Sequence, residues 1–430
     1  MASSKRHLRE LLEADSEQHV ALLQALIRTP TPNPPGDTVL AVETIRKHLE
    51  NIGISSTVIA PNENSPNLVS VFRGTRKGDA ADQRQTRSIV LNGHIDQFPV
   101  EDAGQWRRDP YSGDTEAGFV HGRSGVDMKA GTAAAIIAFT YLYRSRDQLS
   151  GRCTLEVVSD EETGGRWGTR YLLEDDGSED WRADCVLIGE PSGLDSIRFG
   201  EKGTLRMTFK VEAPGGHGAY VHRSEGAIRI ASRLIGSLVG LEELEVEMDP
   251  DIKRYMQRPG VRQVADEIMW TGAADAMSKL TVNIGTISGG VKINMIPTQC
   301  CFEADIRIPI GVDTATVRHH IEEILKDFPS ASYAVHENHS HPATHSEPFH
   351  ELVCQLQENA KVLRGAAPVP ISSLGATDCK HFRRHAIPAY AYGPHPRGMA
   401  EVDEKVSIDD FLDTVKVHTL TAWDYLGGPN

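Results

Sequence analysis

Long apolar runs are missing from this chain. No stretch of its 430 residues approaches the ~18–20 consecutive apolar residues of a membrane-spanning helix. The first segment, MASSKRHLRELLEADSEQ, has no apolar centre. No secretory signal is read there, and a cytoplasmic location is expected. The final LGGPN carries no recognised address. Positive charge is in deficit: 45 Lys and Arg face 60 Asp and Glu, a net charge of −15. That balance argues against nucleic acid and against an anionic membrane surface as partners. Cysteine is scarce, and Cys153, Cys185, Cys300, Cys301, Cys354 and Cys379 form no C-x-x-C pair. Reduced, structural thiols are expected. G-x-S-x-G, a Walker loop and a G-x-G-x-x-G after a strand are also absent, which removes the main rival enzyme classes.

What is present is the composition of an ordinary globular chain, 39% hydrophobic and 24% charged, long enough for two domains. Residues 6–28 read as an amphipathic helix, ended by Pro30, Pro32, Pro34 and Pro35. A second helix is expected from Asp37 to about Gly53, and an alanine-rich one over 128–143. The strand-like NLVSVFRG and SIVLNGHI flank a polar, exposed loop at 75–86. This βαβ alternation predicts an α/β fold with a mostly parallel sheet. Near residue 200 the texture changes. TLRMTFKVEA, KLTVNIGTI, TQCCFEADIRI and SYAVHE alternate like antiparallel strands around two helices, an α+β sandwich. The first pattern returns after about 340. Residues 1–195 and 341–430 are therefore expected to form one discontinuous domain, with 196–340 inserted into it.

Four short motifs stand at the ends of apolar runs or just before the alanine-rich helix. They are Gly93-His94-Ile95-Asp96, Asp127 in GVDMKAG, Asp160-Glu161-Glu162-Thr163-Gly164-Gly165 and Gly189-Glu190-Pro191. Residues beyond the carboxyl ends of strands in an open α/β sheet face one crevice. Histidine and carboxylates gathered there suit a metal site with a built-in base. Each motif alone also has a plain structural reading. His94 and Asp96 fit a surface histidine beside an acid, Asp127 fits a helix N-cap, Glu161 and Glu162 fit a solvated acidic turn, and Glu190 fits a turn opened by Pro191. Adjacent Glu161 and Glu162 diverge if extended, so one can bind metal while the other moves a proton.

Taken together and in order, these motifs resemble the co-catalytic metallopeptidase family of carboxypeptidase G, acetylornithine deacetylase, succinyl-diaminopimelate desuccinylase and aminoacylase. The resemblance implies a zinc-peptidase-like catalytic domain carrying a dimerisation or lid domain. It implies two divalent metal ions: one held by His94, Asp127 and Glu190, the other by Asp127 and Glu162. Glu161 would be general base and acid, and Asp96 would orient His94. APGGHGAY matches the family turn whose histidine, here His217, reaches the active site of a dimer partner. GGVKINMIPTQCCFEADIR places Asn294 and Arg307 as substrate-binding candidates, and GATD adds Asp378. Arg307 can pair with a substrate carboxylate; an ion pair with Asp305 is the alternative. The implied function is hydrolysis of an amide in a peptide or N-acyl amino acid by a homodimer, through a metal-bridging hydroxide.

One position departs from the family. Its last ligand is a histidine in Ala-His-x-x-Asp-Glu, where this chain has Ala400-Glu401-Val402-Asp403-Glu404. Glu401 can serve as the ligand, nearby His395 can replace it, or the second site can be weak. A carboxylate there tilts preference from zinc toward manganese, magnesium or cobalt. Glu401 is the expected ligand because the rest of the motif keeps its register. Two other functions remain open: a metal-impaired binding protein, and amide formation or acyl transfer on the same scaffold. The histidine-rich HENHSHPATH is expected to be a solvated linker.

Overall fold

The computed structural model describes residues 5–76, 87–176 and 178–429. The polar segment expected at 75–86 lies, beyond Arg76, outside the described residues. The strands are β1 (Thr57–Ile59), β2 (Asn67–Arg73), β3 (Ser88–His94), β4 (Arg152–Val158), β5 (Cys185–Ile188), β6 (Ser196–Glu201), β7 (Gly203–Glu212), β8 (Thr281–Gly289), β9 (Gln299–Ile308), β10 (Ala331–Val335), β11 (Thr344–His345), β12 (Val369–Ser373) and β13 (Ala389–Ala391). Shorter strands form two small side sheets.

The large sheet runs β1-β2-β4-β3-β5-β13-β6-β11, with β12 beside β6. Its centre is parallel: β3 pairs in parallel with β4 and β5, and β13 with β5. Both flanks carry antiparallel pairs, and β12 joins β6 in parallel. β3 is buried along its whole length, as a strand covered on both faces must be. The mixed α/β architecture with a mainly parallel centre is the one expected from the sequence.

Helices cover the sheet. Ala130–Arg144 is almost entirely buried between β3 and the last helix, Ile408–Tyr425. Its small residues permit this. A Cβ on Gly131 would stand 1.9 Å from the Gly189 carbonyl oxygen, so only glycine lets this helix meet the turn that carries Glu190. The helix expected over 6–28 is two helices, Lys5–Ala14 and Ser16–Ile27. The break falls at Asp15, whose carboxylate accepts a hydrogen bond from the Tyr141 hydroxyl instead of facing solvent.

The small sheet, β8-β9-β7-β10, is antiparallel throughout. Helices Ala227–Val239 and Thr314–Leu325 close its own core around Phe209, Phe302, Leu234 and Ile321. The strand order along the chain, β-α-β-β-α-β, matches the pattern read from alternation. The change of sheet falls between Glu201 and Gly203, because β6 pairs within the large sheet. One stretch between β7 and β8 returns to the large core. Helices Pro250–Met256 and Pro259–Met269 bury Tyr255, Met256, Val261 and Ala265 there. The Tyr255 hydroxyl donates to the Pro370 carbonyl at 2.9 Å. The histidine-rich stretch is tied down in part, through a bridge between Thr204 and His341 and through β11 against β6.

Candidate metal centre

The parallel strands aim their carboxyl ends at one place. His94, the last residue of β3, lies level with Val158 of β4, and Asn92 lies level with Ile188 of β5. The residues that follow each strand, Asp96, Asp160–Glu162 and Glu190, therefore emerge side by side. Asp127 arrives from the irregular turn Gly125–Lys129, where its backbone (φ −117°, ψ 101°) is not helical. It makes no cap bond to the helix, so the N-cap reading fails.

His94, Asp127 and Glu190 bring their ligand atoms within 4.8 Å of one another. His94 Nε2 stands 3.3 Å from Asp127 Oδ1 and 3.7 Å from Glu190 Oε1. It and Glu162 Oε1 are buried and lack a hydrogen-bond partner among the described residues. Unmet polar atoms in a buried acidic pocket fit a divalent cation. The electrostatics agree. Burial raises Glu162 and Glu190 well above the usual carboxylate range, and Asp127 beside them adds to it. Burial opposes charge on His94, yet Asp127, Asp96 and Glu190 outweigh it and raise its pKa. The cluster is short of positive charge.

Asp96 holds the site from behind. Its carboxylate accepts from the backbone amides of Glu161 and Glu162, each at 3.1 Å, and lies 3.4 Å from His94 Nδ1. Asn33 Nδ2 donates to it at 2.8 Å. The acidic turn itself is shaped by Asp160, in the left-handed region at φ 75°, and by Gly165 at φ 71°. A Cβ on Gly165 would come within 2.8 Å of His381 Nε2, so the second glycine of the motif lets the turn pass over that ring.

Glu161 is outside the ligand group. Its Oε1 lies 3.2 Å from Lys380 Nζ. Asp378 is buried in the same cleft, accepts from the Thr169 hydroxyl at 2.7 Å, and has its pKa raised by burial and by Glu161. The remaining expected residues are not at the cluster. His217 and Asn294 are exposed, and their stretches are joined through the Gly218 amide and the Asn294 carbonyl. Arg307 pairs with Asp305 at 2.8 Å and donates to Thr204 Oγ1. Glu401 is exposed and outside the ligand group. His395 accepts the Arg397 amide at its Nδ1 and is likewise outside.

Glu401 is nevertheless tied to the centre through its backbone. Arg123 Nη1 donates to the Glu401 carbonyl at 3.2 Å and to Glu404 Oε2 at 2.7 Å. Glu404 Oε1 accepts the Val126 amide at 2.9 Å and the Asp127 amide at 3.5 Å. Asn33, Arg123, Glu404 and Lys380 were not among the expected site residues. Asn33 lies in the NPPG stretch read only as a helix break, and Lys380 stands two residues after Asp378.

Known proteins share this fold. A succinyl-diaminopimelate desuccinylase of Cereibacter sphaeroides (strain KD131 / KCTC 12085) is 27% identical over 415 residues, 94% of this chain and 98% of the relative. The M20-family metallo-carboxypeptidase Sso-CP2 of Sulfolobus solfataricus superposes with a TM-score of 0.78 at 17% identity, covering 95% of this chain and 99% of that one. A dinuclear metal-binding M20 peptidase of Bacillus subtilis gives a TM-score of 0.65 at 16% identity, covering 97% and 99%. The description of peptidase family M20/M25/M40 matches residues 90–424. A hydrolase family matched over most of its length, with a metal-binding group at the strand ends, settles the affiliation: this chain belongs to peptidase family M20/M25/M40.

Proposed function

We propose that the protein hydrolyses an amide bond in a peptide or an N-acyl amino acid carrying a carboxylate, with two divalent ions bound. The observation that carries this is the division of labour in one turn. Glu162 faces the ligand cluster, while Glu161 beside it is free of ligand duty and held by Lys380. His94, Asp127 and Glu190 would hold one ion, and Asp127 and Glu162 the second. Glu401 would complete the second site, a reading supported by the Arg123 and Glu404 tether between its loop and Asp127. Zinc is the reference metal, and an all-oxygen second site favours manganese or cobalt. When bound, such ions supply Lewis acidity and lower the pKa of water.

The chain's own groups do the rest. Asp96 fixes the His94 ring and, through two amides, the turn that carries Glu161. Glu161 takes a proton from the attacking water and returns it to the leaving amine. Arg307, Asn294 and Asp378 bind the substrate, Arg307 exchanging Asp305 for a substrate carboxylate. His217 steadies the developing oxyanion from a partner subunit. A second copy is favoured by the small domain's surface. β8 is an edge strand, and Val291 and Ile293 beside it are 93% and 102% exposed. The small domain then acts as both dimerisation element and lid. The carboxypeptidase and desuccinylase relatives support peptides and N-acyl amino acids as substrates.

The test is Glu161→Gln against a panel of dipeptides and N-acetyl and N-succinyl amino acids. Turnover should fall by about 10²–10⁴ with bound metal unchanged. A variant within threefold of wild type refutes the assigned role.

A further inference from the structure

We infer that Lys380 is a positioning residue that holds Glu161 in place from outside the metal-ligand set, a role that rests on Glu161 being the general base. Lys380 and Glu161 have side chains only 7% and 11% exposed, and their charged atoms meet at 3.2 Å. Lys380 Nζ donates a second bond to the Thr377 carbonyl at 2.9 Å. Thr377 is itself clamped, because its amide and hydroxyl both donate to Glu201 Oε2 at 3.1 and 3.0 Å. Glu201 ends β6, at the crossing into the small domain, and there it also accepts from Thr344 Oγ1 at 3.3 Å.

The physical need is plain. Glu161 shares its cleft with Glu162, Asp127, Glu190 and Asp378, and like charges drive it away from them. A general base works only within hydrogen-bond reach of the proton it takes. Lys380 supplies an opposite charge on the far side, and the Thr377 and Glu201 chain fixes where that charge stands. Burial opposes charge on Lys380, yet Glu161, Asp378 and Glu201 outweigh it and raise its pKa. His94 meets Asp96, Asp127 and Glu190 directly, with Lys380 in none of these contacts. Its loss should therefore fall on the rate and spare the metal.

The test is Lys380→Met and Lys380→Arg, made in wild type and in Glu161→Gln. Lys380→Met should lower kcat roughly 10–10²-fold, the size of loss a misplaced catalytic group produces, with KM and bound metal within about twofold. Lys380→Arg should recover most of the rate. In the Glu161→Gln background Lys380→Met should add nothing, because both act on one group. Lys380→Gln replaces the Met variant, with the same expectations, if that variant does not fold. The inference is overturned by a kcat within about twofold of wild type, by a loss confined to KM, by parallel loss of metal, by an increase in rate, or by equal effects in both backgrounds. A crystal structure of the variant needs no turnover. An unmoved Glu161 carboxylate overturns the positioning role whatever the reaction, whereas a displaced Glu161 in a protein that hydrolyses no amide counts against the hydrolase reading alone.

Discussion

Glu156 should make the protein less stable as pH rises, and Glu156→Gln should remove that dependence. Glu156 lies buried in β4. Its Oε2 accepts from Asn92 Nδ2 at 3.1 Å, and among the described residues its Oε1 has no hydrogen-bond partner and no basic group pairs with it. Burial pushes its pKa from 4.5 up to about 8. Below pH 4.5 both the folded and the unfolded chain carry the proton, and Glu156 adds no pH dependence. Above it the unfolded chain releases the proton while the folded chain keeps it, so unfolding gains ground until pH passes the folded value. At about 1.4 kcal/mol per pH unit, the relative loss is about 3 kcal/mol at pH 7 and about 5 kcal/mol above pH 9. Glutamine reproduces the neutral acid and keeps an oxygen for Asn92. Urea unfolding of both proteins at pH 5, 7 and 9 reads the effect. The stability of Glu156→Gln relative to wild type should climb by several kcal/mol across that range. Parallel pH profiles would mean that the folded protein ionises Glu156 as easily as the unfolded chain does, and the reasoning would fail.

Three further outcomes follow from the site. Arg123 and Glu404 are only 6% and 1% exposed, so Arg123→Met strands a buried carboxylate. It should cost about 3–5 kcal/mol and weaken metal binding through Asp127, and an unchanged melting temperature and metal affinity would contradict both. In metal titrations Glu401→Ala should lose one of two ions. If it keeps both while His395→Ala loses one, the ligand is His395. Mixing His217→Ala with Asp127→Ala subunits should restore part of the activity, since one composite site in each mixed dimer is intact, and no rescue in a verified heterodimer would argue against action in trans.

Local pattern reached the frame of the centre. Apolar runs ending in His94, Asp160 and Glu190 are buried parallel strands, and short-range order alone puts their following residues in one crevice. Two glycines of the motifs, Gly131 and Gly165, stand where a side chain would collide. What sequence could not supply are pairings set by the tertiary fold. Lys380 meets Glu161 across 219 positions, and Arg123 meets Glu404 across 281. A lysine after GATD carries no periodic or spacing signal for such a contact. The contact at the Asp15 break was hidden for the same reason, because its partner, Tyr141, lies in another helix. Asn33 was masked by its prolines, which dominate any local reading of that stretch.

The distribution of buried cations bears on whether the centre is catalytic or merely acidic. Arg123 is committed to Glu404, Arg383 lies 3.5 Å from Glu201, and Lys380 is committed to Glu161. Lys129, buried behind the cleft, donates to the Thr29 carbonyl and to Gln97. Each cation thus serves a group outside the ligand set. Glu162 and Glu190 are left with Asp127 and one imidazole, in surroundings that penalise every added negative charge. A solvated acidic patch has no reason to be built this way, because water would screen it. A binding protein that had lost its metal would gain from sharing those cations with the ligands, since an uncompensated buried carboxylate is costly. The fold instead withholds positive charge from the ligand carboxylates and gives it to Glu161 and to the Glu404 brace of Asp127. That allocation suits a site in which an exchangeable dication completes the charge balance and a single carboxylate, paired with its own lysine, is left to move protons.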